Sequence, residues 1–241
     1  MPPLSPLTSF LLQRDRLLLP GTPPLTLHRI CFDAAAFTPA CFAAQGMALP
    51  ASLQGAAPKR LGEFLAGRLA AREALRPFGL AGNGVAIGSA REPLWPLGME
   101  GSISHSQLAG QGVALCGVRP AEGGMGLDLE AWLGPEQGNQ LWPGIVDEDE
   151  WGRLEAGAGA VGLDRSRGLT LVFSAKESLF KALYPRVGRY FDFLDARWLG
   201  MTAQSLTLEL KVPLTPTLPA GWRCTLHWQP LPGGVLTTLL L

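Results

Sequence analysis

Apolar residues recur along this chain with two different periods, which predict helices mixed with strands. Between residues 59 and 78 they are spaced three and four apart, as on one face of a helix. Pro77 and Gly79 end that pattern. Short apolar runs between turn residues predict strands near residues 25–32, 85–87, 112–118, 127–130, 191–198, 205–212, 223–229 and 234–241. Helices and strands follow one another irregularly, which favours the α+β class.

A second helix is predicted over residues 174–184, because the residue before Pro185 avoids helical geometry. Ser174 and Glu177 have the spacing of a capping box at its start. Lys176 falls in the middle of the apolar arc of this helix, beside Phe180. Its ammonium either meets a phosphate in a cleft, or its stem only covers apolar surface on the way to solvent.

The helix over residues 59–78 places two arginines, Arg68 and Arg72, inside its own apolar arc. A buried guanidinium needs a carboxylate or phosphate partner. We expect one of the two to have a structural partner such as Asp33.

The polar, glycine-containing segment 119–124 is the predicted domain boundary, which divides the chain into residues 1–121 and 122–241. Residues 50–58 are interpreted as a linker. The acidic run 147–150 is interpreted as part of a loop, and a glycine-rich stretch follows at 157–162.

Composition narrows the function classes. The 241 residues carry no net charge, 47% are hydrophobic and 17% are charged, so the chain is globular and has no basic field for nucleic acid or anionic membrane. The four cysteines are scattered, which favours thiols over a zinc site or a disulfide scaffold. Residues 1–20 lack the basic start of a signal peptide and no run is long enough to span a membrane, so we predict a cytoplasmic protein.

Asp128 and Glu130 are two residues apart in a predicted strand, and therefore share a face. Two carboxylates so close repel each other, and a Mg²⁺ ion would remove that conflict. The alternative interpretation is a solvent-facing strand edge. The segment Ser-Ile-Ser-His at residues 102–105 ends in an imidazole, and Arg91 lies in a proline-containing loop; both are candidate phosphate contacts.

Two motifs together resemble the signature of the Sfp-type 4′-phosphopantetheinyl transferases: GLDLE at residues 126–130 and FSAKESLFK at residues 173–181. REPLWP at residues 91–96, followed by GSISH at 101–105, is similar to the subgroup of enterobactin synthase component D enzymes. The helix motif FLAGR at 64–68 and YFDF at 190–193 are similar to that subgroup as well. The resemblance covers about residues 58–200.

The resemblance implies transfer of phosphopantetheine from coenzyme A to a serine of an apo acyl or peptidyl carrier protein, with release of 3′,5′-ADP. It implies two similar α+β halves related by a pseudo-twofold, with a ligand cleft between them and a monomeric enzyme. The implied Mg²⁺ ligands, with Mn²⁺ as an alternative metal, are Asp128, Glu130 and Glu177. Glu177 is also the implied general base.

The implied pyrophosphate contacts are Lys176 and Lys181, which with Glu177 form the predicted catalytic set. The implied coenzyme A contacts in the first half are Ser104 and His105, with Arg60, Arg68 and Arg91 as further candidates. Two other functions stay open from the residues: a metal-dependent nuclease, and a coenzyme A or carrier-binding module without turnover. The carrier could belong to fatty-acid, polyketide, siderophore or lysine biosynthesis.

Overall fold

The computed structural model describes residues 9–19, 24–82 and 84–241. Its contacts divide the chain into two compact units, Met1–Ala121 and Glu122–Leu241. Each unit has an antiparallel sheet with a long helix packed against it, so the predicted α+β class is confirmed.

The first unit is built on a four-stranded sheet in the order β1-β2-β6-β5. Its strands are β1 Leu11–Leu19, β2 Leu25–Phe32, β5 Met99–Leu108 and β6 Gln111–Pro120, and a small hairpin is formed by β3 Ala86–Ile87 and β4 Pro93–Leu94. The helices are α1 Ala40–Ala44 and α2 Pro58–Leu75. Helix α2 packs on β2, β5 and β6. Its apolar face, with Leu65 and Leu69, closes the core of this unit.

The second unit has a five-stranded sheet in the order β7-β11-β10-β9-β8. Its strands are β7 Met125–Ala131, β8 Ala196–Met201, β9 Ser205–Leu210, β10 Arg223–Leu231 and β11 Gly234–Leu240. Its helices are α3 Pro135–Leu141, α4 Glu148–Gly159 and α5 Arg165–Val187. Helix α5 packs mainly on β7 and β11, which brings it next to the strand that carries the GLDLE motif.

The bounds of α5 correct the sequence-based prediction at both ends. The helix begins at Arg165, where the side chain of Asp164 accepts a hydrogen bond from the N–H of Arg167 at 2.9 Å. Ser174 therefore lies in mid-helix, and the predicted capping box with Glu177 is wrong. The helix also continues through Pro185 to Val187 and is capped by Gly188, whose φ of 68° suits glycine. Pro185 has no N–H, so the helix passes it without the backbone bond that a donor there would have made.

The acidic run is helical, so its interpretation as a loop is wrong. Asp147 caps α4, and the acidic residues that follow fill its first turn, where the helix dipole favours negative charge. The glycine-rich stretch is helical as far as Gly159. The strand predicted at 25–32 and the helix predicted at 59–78 are confirmed within a few residues.

The prediction that residues 1–20 are not a signal peptide falls partly outside the described residues, since residues 1–8 and 20 are not among them. Leu11–Leu19 forms strand β1. Within the described ranges, no helix combines the length and the apolar character needed to cross a bilayer.

Candidate active site

Strand β7 presents two carboxylates on one face. Asp128 is 2% exposed and Glu130 is half-buried, so the alternative of a solvent-facing strand edge fails for Asp128. Leu127 and Leu129 point to the other face and are fully buried. A carboxylate that is held this deep in the protein needs cations or hydrogen-bond donors around it.

Helix α5 approaches β7 very closely, and Gly126 makes this approach feasible. A Cβ atom at residue 126 would overlap the carbonyl oxygen of Ser178, so any larger side chain would push the helix away from the strand. The glycine of the GLDLE motif therefore has a packing function.

The close approach brings Lys181 onto the strand. Its Nζ donates to Oδ1 of Asp128 at 2.6 Å and to the carbonyl of Leu127 at 3.2 Å. Asp128 and Lys181 belong to the two motifs that the sequence singled out, and the fold places them in direct contact.

The carboxylates of this cluster influence one another. Burial, with the nearby charge of Asp128 as the next cause, raises the pKa of Glu130 to about 8, while Lys181 opposes the shift. Burial also raises the pKa of Glu177, and Asp128 adds to the rise against the effect of Lys181. Three acids and one lysine thus lie within electrostatic reach, as the motifs predict.

The donor chemistry of this cluster fits a hard divalent cation, because carboxylate oxygens that repel each other are what Mg²⁺ neutralises. The arrangement itself is not a preformed metal cage: in the described part of the chain, no three or more His, Cys, Asp or Glu side chains are placed so that they could hold a metal ion. Here the ammonium of Lys181 is the cation next to Asp128.

Lys176 does not point into a phosphate-binding cleft, and it does not extend to solvent; the structure corrects both interpretations. Its side chain is 1% exposed, and its Nζ donates to the carbonyl of Ile145 at 2.8 Å and contacts both carboxylate oxygens of Glu150 at 3.3 and 3.4 Å. Burial lowers the pKa of Lys176 to about 8, and Glu150 opposes that shift. The residue is an anchor of α5 in the core of the second unit.

In the first unit, Arg60 on α2 and His105 on β5 lie in contact. Nη1 of Arg60 is 2.9 Å from Nε2 of His105, and because a guanidinium has no acceptor, the imidazole nitrogen accepts this bond. Glu63 lies 3.9 Å from both partners. Ser104, the neighbour of His105 on β5, is buried.

The other predicted arginines have different surroundings. Arg68 stacks over the ring of Phe64 at 4.8 Å, and burial lowers the pKa of its guanidinium. Arg91 is exposed, with a φ of 69°. Arg72 donates to the backbone and side-chain oxygens of Gln45, so the expected pairing of Arg68 or Arg72 with Asp33 is wrong. Asp33 instead accepts a bond from the N–H of Ala35.

Both units match one protein family. Residues 49–115 match the 4′-phosphopantetheinyl transferase N-terminal domain, and residues 124–230 match the 4′-phosphopantetheinyl transferase superfamily. Enterobactin synthase component D of Escherichia coli K12 is 41% identical over 207 residues, which are 85% of this chain and 87% of the relative. The chain belongs to the 4′-phosphopantetheinyl transferase superfamily. The resemblance seen in GLDLE and FSAKESLFK is thereby confirmed.

Two other relatives of the transferase agree with this. Enterobactin synthase component D of Salmonella typhimurium is 35% identical over 194 residues, 80% of this chain and 76% of the relative. The 4′-phosphopantetheinyl transferase Svp of Streptomyces mobaraensis is 37% identical over 160 residues, 66% of this chain and 62% of the relative. The chain is an enzyme, and its reaction class is the transfer of phosphopantetheine from coenzyme A to a carrier protein.

Sequence reasoning missed several residues that shape the site of the transferase. Glu150, the partner of Lys176, was hidden in an acidic run that was interpreted as a loop. Glu63 is three residues after Arg60, a spacing at which helical side chains meet, and this signal was available. Thr237, which contacts Ser174, lies far from α5 in sequence and has no local signature.

Proposed function

We propose that the transferase uses Mg²⁺ held by Asp128, Glu130 and Glu177, and that Lys181 binds the pyrophosphate of coenzyme A. The observation that carries this proposal is the 2.6 Å contact between Lys181 and Asp128. The charges of these two residues also influence the pKa values of Glu130 and Glu177, so all four side chains belong to one cluster. When bound, the metal would supply positive charge to the phosphate oxygens.

In the reaction, the carrier serine oxygen attacks the β-phosphorus of coenzyme A, and the bond from that phosphorus to the bridging oxygen breaks. The phosphopantetheine is now on the serine, and 3′,5′-ADP leaves with the bridging oxygen. Glu177 accepts the serine proton, directly or through water. Lys181 stabilises the negative charge that develops on the leaving phosphate. Lys176 supports this chemistry only by anchoring α5, since Glu150 and Ile145 hold its ammonium.

The residues of the first unit are assigned to the nucleotide end of coenzyme A. Arg60 and His105 already lie 2.9 Å apart, so one phosphate could contact both side chains. Ser104, Arg68 and Arg91 are weaker candidates, because Ser104 is buried, Arg68 lies on Phe64 and Arg91 is in an exposed bend.

The deciding experiment is intact-mass spectrometry of apo carrier proteins that have been incubated with coenzyme A, Mg²⁺ and either the wild type or Glu177→Ala. Wild type is expected to add one phosphopantetheine, and EDTA is expected to abolish the addition. Glu177→Ala is expected to lower the rate about 10²-fold or more, the usual size of a lost acid–base contribution. The matched control is Glu155→Ala, because Glu155 is a glutamate whose side chain is 77% exposed on α4. Near wild-type transfer by Glu177→Ala would remove the metal and base assignment.

The carrier itself is proposed from the relatives. The named relatives from Escherichia coli and Salmonella are enterobactin synthase components, so a peptidyl carrier of siderophore biosynthesis is the first carrier to test, with a fatty-acid acyl carrier beside it. Binding of coenzyme A without transfer to either would favour a binding module. Cleavage of plasmid DNA with Mg²⁺ would favour a nuclease. The monomeric state and the cytoplasmic location stay predictions.

A further inference from the structure

Three hydroxyl groups form a cluster between helix α5 and strand β11, and each belongs to a residue that is completely buried: Ser174, Ser178 and Thr237. Oγ1 of Thr237 is 2.9 Å from Oγ of Ser174 and 2.8 Å from Oγ of Ser178. We call these three residues the hydroxyl cluster.

Thr237 is the centre of the hydroxyl cluster. Its hydroxyl donates to the carbonyl of Ser174 at 2.9 Å, which uses its single proton. The Thr237 oxygen therefore acts as the acceptor in its contacts with the two serine hydroxyls. Ser178 can also donate to the backbone carbonyl of Thr237 at 3.2 Å. Removing the Thr237 hydroxyl therefore removes both side-chain contacts and leaves Ser178 only the backbone carbonyl, whereas removing either serine hydroxyl leaves the other side-chain contact in place.

The hydroxyl cluster lies directly beside the proposed metal and phosphate residues. Thr237 is the cross-strand partner of Asp128 in the β7–β11 pair. On α5, Ser174 is three residues before Glu177, and Ser178 is three residues before Lys181. The cluster thus joins the strand next to Asp128 to the turns of the helix that carry the other two groups.

We propose that Thr237 is a positioning residue for the transfer reaction: its hydroxyl fixes the placement of α5 along the β7–β11 pair, and so sets where Glu177 and Lys181 lie relative to Asp128. This inference rests on the proposed function. Thr237 lies beyond residue 230, where the match to the superfamily ends, and no motif contains it.

The chemistry of this site makes small displacements costly. A shift of about 1 Å in a catalytic group can cost about 10²-fold in rate, even when it originates away from the reacting atoms. Thr237→Val has nearly the same shape as threonine but no hydroxyl, so it tests the hydrogen bonds rather than the packing. Thr237→Ser keeps the hydroxyl and loses a methyl group.

The experiment compares Thr237→Val, Thr237→Ser and the control Thr225→Val. Thr225 forms a hydroxyl pair with Thr207 at 3.3 Å on the exposed face of the sheet, so the control deletes the same group away from α5. Steady-state phosphopantetheine transfer gives kcat and the KM values for coenzyme A and carrier. Hydrogen–deuterium exchange of α5, without metal or coenzyme A, gives a readout that does not depend on activity.

We expect Thr237→Val to lower kcat at least about tenfold, with KM values within about twofold, and to speed exchange in the part of α5 that contains Glu177 and Lys181. Thr237→Ser should restore kcat to within about twofold of wild type, and Thr225→Val should match wild type. A wild-type kcat for Thr237→Val, or equal kcat losses for the valine and serine variants, would overturn the proposal even where the melting temperature falls.

If Thr237→Val yields no folded protein, the double variant Ser174→Ala/Ser178→Ala decides, since it deletes both serine hydroxyls that contact Thr237. A kcat loss of about tenfold would support the positioning role, and an unchanged kcat would overturn it. Failure of the proposed function is a separate result: in that case Glu177→Ala would transfer phosphopantetheine at nearly the wild-type rate.

Discussion

Lys181 reaches from helix α5 to Asp128 on strand β7 and contacts its Oδ1 at 2.6 Å. The helix and the strand come from segments about fifty residues apart, and each supplies one charge of the pair. The contact between the two side chains therefore depends on the position of α5 on the sheet.

Replacing Lys181 with methionine is expected to lower kcat about 10²-fold, because one preorganised cation at the developing phosphate charge is lost. The control is Lys211→Met, which removes a comparable 2.8 Å ion pair with Asp147 that is more exposed. Both variants are compared by the initial rate of phosphopantetheine transfer. Equal rates for the two variants would contradict the role of Lys181.

Lys176 and Glu150 give a prediction about stability. Lys176→Met leaves the carboxylate of Glu150 buried without its cation, and breaking such a pair costs about 3–5 kcal/mol. Adding Glu150→Gln should recover part of this loss, because no bare carboxylate remains. The free energy of unfolding is measured by urea titration with tryptophan fluorescence as the signal, since six of the seven tryptophans lie in the second unit. If Lys176→Met were as stable as wild type, the ion pair of Lys176 with Glu150 would not hold α5 in the core.

Gly126→Ala tests the close packing of α5 on β7. The added methyl group would overlap the Ser178 carbonyl, so α5 must move, at a cost of about 1–3 kcal/mol in the free energy of unfolding. The transfer rate should fall as well, because Lys181 moves with the helix. Gly200→Ala is the matched control in strand β8, where a methyl group meets open space. Both variants are assayed for melting temperature and kcat, and indistinguishable behaviour would refute the packing argument.

Arg60→Ala tests the nucleotide end of the substrate. If Arg60 and His105 bind the 3′-phosphate, the variant should raise KM for coenzyme A about tenfold, the effect of losing about 1.4 kcal/mol of binding. It should leave KM for dephospho-coenzyme A, which lacks that phosphate, unchanged. Arg76→Ala removes an exposed arginine paired with Glu73 near the other end of α2 and serves as control. An equal rise for both substrates would place Arg60 elsewhere on coenzyme A.

Glu209 makes stability depend on acid pH. Hydrogen bonds from Arg197 and then Arg223 hold the pKa of this carboxyl below its ordinary value of 4.5. A lowered folded-state pKa contributes stability above pH 4.5, and that stability is lost as the pH falls through the folded-state value. Glu209→Gln should therefore lower the urea midpoint at pH 7. The difference in urea midpoint between the variant and wild type should become smaller at acid pH. Glu155→Gln, which changes an exposed carboxylate, should show neither effect.

The spacing of apolar residues predicted those helices and strands whose own side chains form the core. Strand β2 and helix α2 follow from the spacing of their own apolar residues, and the contact of Asp128 with Lys181 joins two motifs that the sequence already marked. The family resemblance, rather than the periodicity, supplied the chemistry.

The errors arose where tertiary contacts override local signals. Ser174 looks like a helix cap, but its hydroxyl is used by Thr237, which lies far away in sequence. Lys176 looks like a ligand for phosphate because nothing near it in sequence shows that Glu150 will be its partner. Pro185 looks like a helix stop, yet the helix continues to Val187.

The strand order of the second unit has a consequence for how the protein acquires activity. Among the strands that the structure describes, β7 pairs with β11 alone, a partner from about a hundred residues further along the chain. Such distant pairings form slowly, since a long loop must close before the contacts stabilise it. Asp128 and Glu130 therefore reach their final place in the sheet only when that pairing is made. The carboxylate pair is therefore a late product of folding, completed when nearly the whole second unit is in place.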